Sequence, residues 1–286
     1  MNAIILAAGT SSRFVPLSSE WPKGLLEVKG EVLIERQIRL LKEAGVDDIT
    51  IVTGYKADMF AYLRDKYGVD TVFNEDYFKY NNTSSIIRVL DKLSNTFVCC
   101  SDHYYKRNVF LEPANDSYYS ALYAKGATKE YCLTWDDKDY ITGVDIGGKD
   151  AWYMAGHVFF TQTFSESFKK IITEAYNQEK VRYGYWEDVY IEHINELPMQ
   201  LRRYADEDIF EFDTLDELRQ FDETYVDDTR SHVVKEICGL LNCGERELSG
   251  FKKVKHIGDY LAFLFCYGDL VYIYDDRDSL RIKLYQ

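Results

Sequence analysis

Ile4-Ile5-Leu6-Ala7-Ala8-Gly9-Thr10-Ser11-Ser12-Arg13 runs on to Pro16 and then to Trp21-Pro22-Lys23. Residues 3–8 are apolar without alternation, the pattern of a parallel strand covered on both faces. Ala7, Ala8 and Gly9 leave the end of that strand without bulky side chains, so backbone N–H groups there can approach a ligand closely. Exposed N–H groups in such a turn form an anion-binding concavity. Arg13 and Lys23 add cations at two spacings, one a planar fork and the other a point charge. The stretch therefore reads as a nucleotide-phosphate cradle at the carboxyl end of the first strand. An ordinary strand-turn with two surface cations uses the same residue types. Strand, turn, Arg and Pro-Lys in one register favour the cradle.

The composition bounds the rest. A chain of 286 residues that is 46% hydrophobic can bury a sizeable core. Its formal net charge of -14 argues against general nucleic-acid binding, because phosphate backbones are repelled. A local basic pocket built from Arg13 and Lys23 stays compatible with that charge. No apolar run has the length of a membrane span. Met1 leads at once into the core strand rather than into a secretory leader, and the cysteines at 99, 100, 132, 238, 243 and 266 are scattered. The expectation is a cytoplasmic protein with reduced thiols. Cys238 and Cys243 lack zinc-site partners at suitable spacing and read as core residues.

Strands and helices alternate early, which points to the α/β class: a mostly parallel mixed sheet flanked by helices. Ile34, Ile38, Leu41 and Ala44 share one face of a helix over 31–44 that ends at Gly45. Strands are expected at 49–53, 71–73 and 96–100, and helices at 57–66 and 84–93. The second half reads as strands at 118–124, 131–134, 140–145 and 151–160, with helices at 164–177, 187–196 and 214–224. A polar break at Asp227-Asp228-Thr229 suggests a main domain over 1–228 and a small α+β appendix over 229–286.

Four groups of residues could carry chemistry. Asp102 follows the strand at 96–100, where ligands gather in open α/β sheets. A carboxylate facing a triphosphate there is suited to Mg2+, which takes hard oxygen ligands; a solvated loop Asp is the rival reading. Trp186-Glu187-Asp188 places two acids at a helix start, either as an ordinary acidic first turn or as completion of that metal site. The sequence does not choose between Glu187 and Asp188. In Tyr80-Asn81-Asn82-Thr83-Ser84-Ser85, Asn and Ser are routine N-caps, but an amide at Asn82 and a hydroxyl at Ser85 also suit a base and ribose pocket. Tyr131, Trp152 and Trp186, with further aromatics nearby, are core candidates that could instead cage a quaternary ammonium.

The N-terminal stretch resembles the signature of the sugar-phosphate nucleotidyltransferase superfamily, roughly A-A-G-x-G-x-R followed by P-K. Gly9, Arg13, Pro16, Pro22 and Lys23 match it, and Ser11 stands where the second glycine is usual. Residues 1 to about 225 are similar to the bacterial CTP:phosphocholine cytidylyltransferases. That likeness continues through Val52-Thr53-Gly54-Tyr55, Asn81-Asn82 with Ser85, Ser101-Asp102, Gly156-His157-Val158 and Tyr185-Trp186-Glu187-Asp188. It departs at Cys100, where some relatives carry an additional Asp.

The resemblance implies a Rossmann-like nucleotidyltransferase fold and transfer of CMP from CTP to phosphocholine. It implies that Ala7, Ala8, Gly9 and Arg13 hold the nucleotide phosphates, Lys23 the α-phosphate region and Asp102 the Mg2+. A sugar 1-phosphate or an aminoalkyl phosphonate as acceptor, a homo-oligomer, and a non-catalytic nucleotide-binding regulator remain open. The C-terminal residues, from Ile237-Cys238 through Phe251-Lys252, Gly258 and Phe263-Leu264-Phe265 to Val271-Tyr272, resemble the opening of a choline-kinase-like domain. Tyr272-Ile273-Tyr274-Asp275 does not supply the basic residue a kinase needs near this strand, so a remnant or a small packing or dimerisation unit is expected rather than a second enzyme.

Overall fold

The computed structural model describes residues 1–254 and 260–285, so Gly258 of the kinase-like reading lies outside the described residues. Contacts divide the chain into two compact units, Met1–Gly9 with Leu33–Phe210, and Thr10–Val32 with Glu211–Gln286.

The first unit is built on seven strands: β1 (Asn2–Ala7), β2 (Asp48–Thr53), β3 (Asp70–Phe73), β4 (Thr96–Cys100), β5 (Tyr118–Trp135), β6 (Ile141–Phe160) and β7 (Gln200–Arg203). Their order in the sheet is β7-β5-β6-β4-β1-β2-β3. The unbroken apolar run of β1 is explained by its place in the middle, parallel to β2 on one side and β4 on the other. Helix α1 (Leu33–Glu43) buries Leu33, Ile34, Ile38 and Leu41 on one face. The helix expected at 57–66 is a 3-10 turn over Ala57–Phe60 followed by α2 (Tyr62–Tyr67). That expected at 84–93 is α3 (Asn82–Ile87), followed by a 3-10 turn over Leu90–Lys92.

Four strands expected in the second half are two. β5 and β6 form one long antiparallel ribbon. It doubles back where Gly126 and Asp150 take positive φ angles of 81° and 52° and the Asp150 carboxylate accepts the Gly126 N–H at 2.8 Å. As a result Cys132 faces both Asp145 and Tyr153, and Tyr140 near the ribbon's tip bridges to Gln200 of β7. Helices α4 (Gln162–Ala175), α5 (Glu179–Tyr183) and α6 (Trp186–Glu192) complete the unit. Among the described residues no helix is long and apolar enough to cross a membrane.

The second unit joins Thr10–Val32 to residues on both sides of the break read at 228/229. Asp222 accepts the Lys29 N–H at 2.7 Å, and the Tyr225 hydroxyl donates to the Glu27 carbonyl at 2.7 Å. Beyond the break Arg230 donates to the same carbonyl at 2.8 Å. Glu20 accepts from the Ser231 hydroxyl and from His232 N–H, capping α8 (His232–Leu241). The polar Asp227-Asp228-Thr229 run therefore lies inside this unit and does not bound it. Helix α7 (Leu215–Phe221) precedes, and four antiparallel strands, β8 (Leu248–Lys253), β9 (Ala262–Tyr267), β10 (Leu270–Asp275) and β11 (Ile282–Leu284), follow in that order across a sheet. Leu248, Phe251, Ala262, Phe263, Phe265 and Tyr274 are buried in it.

His157 of β6 is fully buried, with the rings of Tyr105, Phe110, Tyr118 and Tyr204 at 5.4 to 5.9 Å. Gly156 before it has φ +77°, and a Cβ there would lie 2.4 Å from His103 Cε1. Burial, with His103 and Arg202 nearby, holds the His157 pKa well below the ordinary 6.5. The folded protein thus refuses a proton that the unfolded chain takes up below about pH 6.5, and this residue's contribution is lost as pH falls. Urea unfolding of wild type and His157→Phe from pH 7.5 to 5 tests this. Below pH 6.5 the wild type loses about 1.4 kcal/mol per pH unit relative to the variant, other titrating groups dropping out of the difference. A difference that stays flat with pH contradicts a buried neutral His157.

Candidate active site

The sheet register places the expected phosphate turn. Ala7 pairs with Thr53 and Leu6 with Cys100, so β1, β2 and β4 end level with one another. Two backbone bonds extend that alignment past the strands: Tyr55 N–H donates to the Ala8 carbonyl and Ser101 N–H to the Leu6 carbonyl, each at 3.1 Å. Gly54 is required by close approach, since a Cβ there would lie 2.5 Å from Tyr77 Cβ and 2.8 Å from the Ala8 carbonyl oxygen. Ala7 and Ala8 are buried, and at Gly9 a Cβ would meet nothing within 4 Å.

Asp102 lies two residues past the Leu6–Cys100 pair, at the carboxyl end of β4. Its loop is held by Gln37 of α1, whose fully buried amide donates to the carbonyls of Cys100 at 2.8 Å and His103 at 3.0 Å. These two bonds bracket Asp102. Among the described residues no group of three or more His, Cys, Asp or Glu is placed to hold a metal. Asp102 offers the hard oxygen donor that Mg2+ takes, and an ion bound through one or two carboxylates plus substrate phosphates needs no such cluster.

Asn82, Glu187 and Asp188 are brought together by the docking of α3 on the residues around α6. Asn82 Nδ2 donates to Glu187 Oε2 at 3.1 Å, and the Tyr119 hydroxyl donates to Glu187 Oε1 at 3.1 Å. Burial pushes the Glu187 pKa up to about 7, with Asn82 and Tyr119 opposing the rise. Asp188 accepts from the Tyr185 N–H at 2.8 Å, as a helix cap, and from the Tyr131 hydroxyl at 3.2 Å. Ser85 is buried, its hydroxyl 3.1 Å from the Asn74 amide.

The expected substrate aromatics are dispersed within this unit. Tyr131 stands edge-on to Tyr185 at 6.5 Å. Trp152 packs on Tyr123 at 5.4 Å, and the Arg203 guanidinium lies over Trp135 at 4.9 Å and Trp152 at 5.7 Å. Trp186, expected against a substrate, is a core residue: it is 2% exposed and packs on Tyr119, Phe160 and Phe168. A large ring at the first position of α6 is better accommodated inward than toward solvent.

Arg13 and Lys23 belong to the second unit. Arg13 Nη1 lies 2.7 Å from Asp213 Oδ2; Lys23, only 5% exposed, has Nζ 3.6 Å from Glu211 and 3.9 Å from Asp213. Burial and the neighbouring Glu211 raise the Asp213 pKa, while Lys23 and Arg13 oppose the rise. A polyphosphate that binds these cations competes with two carboxylates already in place.

Residues 3–124 match the MobA-like NTP transferase domain. A choline-phosphate cytidylyltransferase from Streptococcus pneumoniae is 34% identical over 223 residues, 78% of this chain and 97% of that protein. The chain belongs to this cytidylyltransferase family. A 2-aminoethylphosphonate cytidylyltransferase from Lancefieldella rimae is also 34% identical, over 79% of this chain and 93% of that one. The solved structure of the CTP:phosphocholine cytidylyltransferase from Streptococcus pneumoniae superposes with a TM-score of 0.75, covering 78% of this chain and 98% of that chain.

Three further polar residues of this cytidylyltransferase carry no local sequence pattern that marks them: Gln37, Glu211 and Asp213. Gln37 sits on the apolar face of α1, where polarity alone signalled a mismatch with its helix. Glu211 and Asp213 stand just before a helix start, where acids are ordinary and mark no site. The cap is there, with Glu217 N–H donating to Thr214 Oγ1 at 3.2 Å, but it leaves the Asp213 carboxylate to face the cations.

Gln37→Leu keeps the volume of the Gln37 side chain and removes both donors. Each of the two carbonyls then loses this donor, at a cost of about 1–3 kcal/mol where no other donor replaces it, partly offset by removal of the buried, unpaired Gln37 Oε1. A fall of that size in urea-unfolding free energy is the expected result, and an unchanged value contradicts the bracket around Asp102.

Proposed function

We propose that this nucleotidyltransferase transfers CMP from CTP to phosphocholine, yielding CDP-choline and pyrophosphate. The observation that carries the reading is the level alignment of β1, β2 and β4, which sets the Ala7-Ala8-Gly9 backbone beside the Asp102 loop. In the reaction a phosphate oxygen of phosphocholine forms a bond to the α-phosphorus of CTP, and the bridging bond to the β-phosphate breaks. Positioning and charge stabilisation carry such a transfer, with little covalent work by the protein.

The backbone at Ala7–Gly9 binds nucleotide phosphate. Arg13 holds the departing pyrophosphate, and Lys23 offsets charge gathering at the α-phosphorus. Asn82 and Ser85 serve the nucleoside. When bound, Mg2+ would be held by Asp102 together with substrate phosphates and would neutralise charge on the reacting phosphates.

The acceptor assignment is supported by relatives named choline-phosphate cytidylyltransferases from Streptococcus pneumoniae and Haemophilus influenzae. It is also supported by aromatic faces suited to a cation, as the position of Arg203 over Trp135 and Trp152 illustrates. A 2-aminoethylphosphonate acceptor is the second reading, because the Lancefieldella relative is equally similar. The four-stranded C-terminal sheet reads as a kinase-derived packing or dimerisation unit without kinase chemistry.

Two measurements test the proposal. In turnover of CTP with a panel of acceptors, phosphocholine should outpace 2-aminoethylphosphonate, and both should outpace glucose 1-phosphate. A trimethylammonium gains from aromatic faces, whereas a primary ammonium also needs acceptors for its three N–H groups. Faster turnover with the phosphonate moves the assignment to the second reading. Lys23→Ala and Arg13→Ala should each lower the rate roughly a hundredfold or more with the fold retained. Near-native rates in both variants would remove the phosphate role of these cations.

A further inference from the structure

Both carboxylate oxygens of Glu187 are engaged by other elements, Oε2 by Asn82 Nδ2 at the start of α3 and Oε1 by the Tyr119 hydroxyl of β5. The other end of the Asn82 amide is held as well, its Oδ1 accepting the Trp186 backbone N–H at 2.9 Å. Consecutive residues thus fix the amide at both ends. A flip would set its NH2 against the Trp186 N–H and its oxygen against the carboxylate, losing both bonds. Two more bonds seat the same turn of α3: Asn81 N–H to the Arg182 carbonyl at 3.3 Å and the Thr83 hydroxyl to the Gly184 carbonyl at 2.8 Å.

We infer that Glu187 is a positioning residue, which orients the Asn82 amide and the first turn of α3 for the nucleotide, rather than a ligand of the metal. The inference rests on the cytidylyl-transfer reading and narrows its acidic pair. Mg2+ demands near-ideal octahedral geometry. A carboxylate whose plane is set by donors from two different elements is poorly free to meet that demand.

The test compares wild type, Glu187→Gln, Glu187→Ala, Asn82→Ala and the Glu187→Ala/Asn82→Ala double variant. KM for CTP, kcat and the half-saturating Mg2+ concentration are measured for each. Gln separates geometry from charge: its oxygen accepts from Asn82, and its NH2 donates to the Tyr119 hydroxyl, which turns to accept. Glu187→Ala and Asn82→Ala should each raise KM for CTP about tenfold or more, with half-saturating Mg2+ unchanged. The double variant should be no worse than the more affected single one, because the two act as one unit. Glu187→Gln should stay within about threefold of wild type in KM.

A Glu187→Gln variant that needs as much extra Mg2+ as Glu187→Ala would make the charge essential and overturn the inference. So would losses that multiply in the double variant. If Glu187→Ala does not fold, Tyr119→Phe replaces it, removing one of the two donors, and a smaller rise in KM at unchanged Mg2+ dependence is expected. Failure of wild type to turn over CTP is a different result and counts against the transfer reading. The Asn82–Glu187 coupling is then read from the unfolding midpoints of the same proteins, where additive shifts overturn the clasp.

Discussion

The central constraint on the first unit is the parallel pairing of β1 with β2 and β4. Parallel strands are buried on both faces, so β1 is apolar from Ala3 onward, and its register against two neighbours is set by that burial. Because the three strands end level, the polar chemistry of three connections is gathered at one edge of the sheet. The Ala8 and Leu6 carbonyls then accept N–H groups from the neighbouring connections, which holds the turn after β1 without any side chain from the turn itself. A turn held through backbone leaves Ala7, Ala8 and Gly9 free to be small.

Electrostatics follows a second constraint. In a chain of net charge -14, cations find carboxylates. Arg13 and Lys23 are matched by Asp213 and Glu211, and the crowding of two acids is visible in the raised pKa of Asp213. On the proposed reading, phosphate binding at these cations would be an exchange of one anionic partner for another. Such an exchange favours a ligand of high charge, such as a triphosphate, over a singly charged one.

The placement of α3 depends on a clasp between two helix starts. A helix of six residues such as α3 gains little from its own backbone bonds and must be held by tertiary contacts. Arg182, Gly184, Trp186 and Glu187 supply them through two carbonyls, one N–H and one carboxylate. The inward packing of Trp186 on Phe160 and Phe168 anchors that segment in the core, so the polar clasp is built on an apolar foundation.

Local pattern alone was enough for the class of fold, the central strand, the helix carrying Ile34, Ile38 and Leu41, and the turn of small residues after the central strand. Each is written in a local pattern: an apolar run, a helical period, or small residues followed by cations. The placing of Asp102 was also legible, since it needs only the end of one strand. Tertiary structure alone decided what distant residues do to one another. Gln37 brackets Asp102 from 65 positions earlier in the chain, and Glu187 meets Asn82 across 105. The doubling back of the β5–β6 ribbon merged four expected strands into two, because positive-φ bends at Gly126 and Asp150 turn it without ending it. The affiliation of Thr10–Val32 with residues beyond 210 likewise rests on bonds from Glu20, Glu27 and Lys29 that no local pattern records. Periodicity reports which face of an element is buried; which partner's donor or acceptor lies opposite is set only when the elements pack.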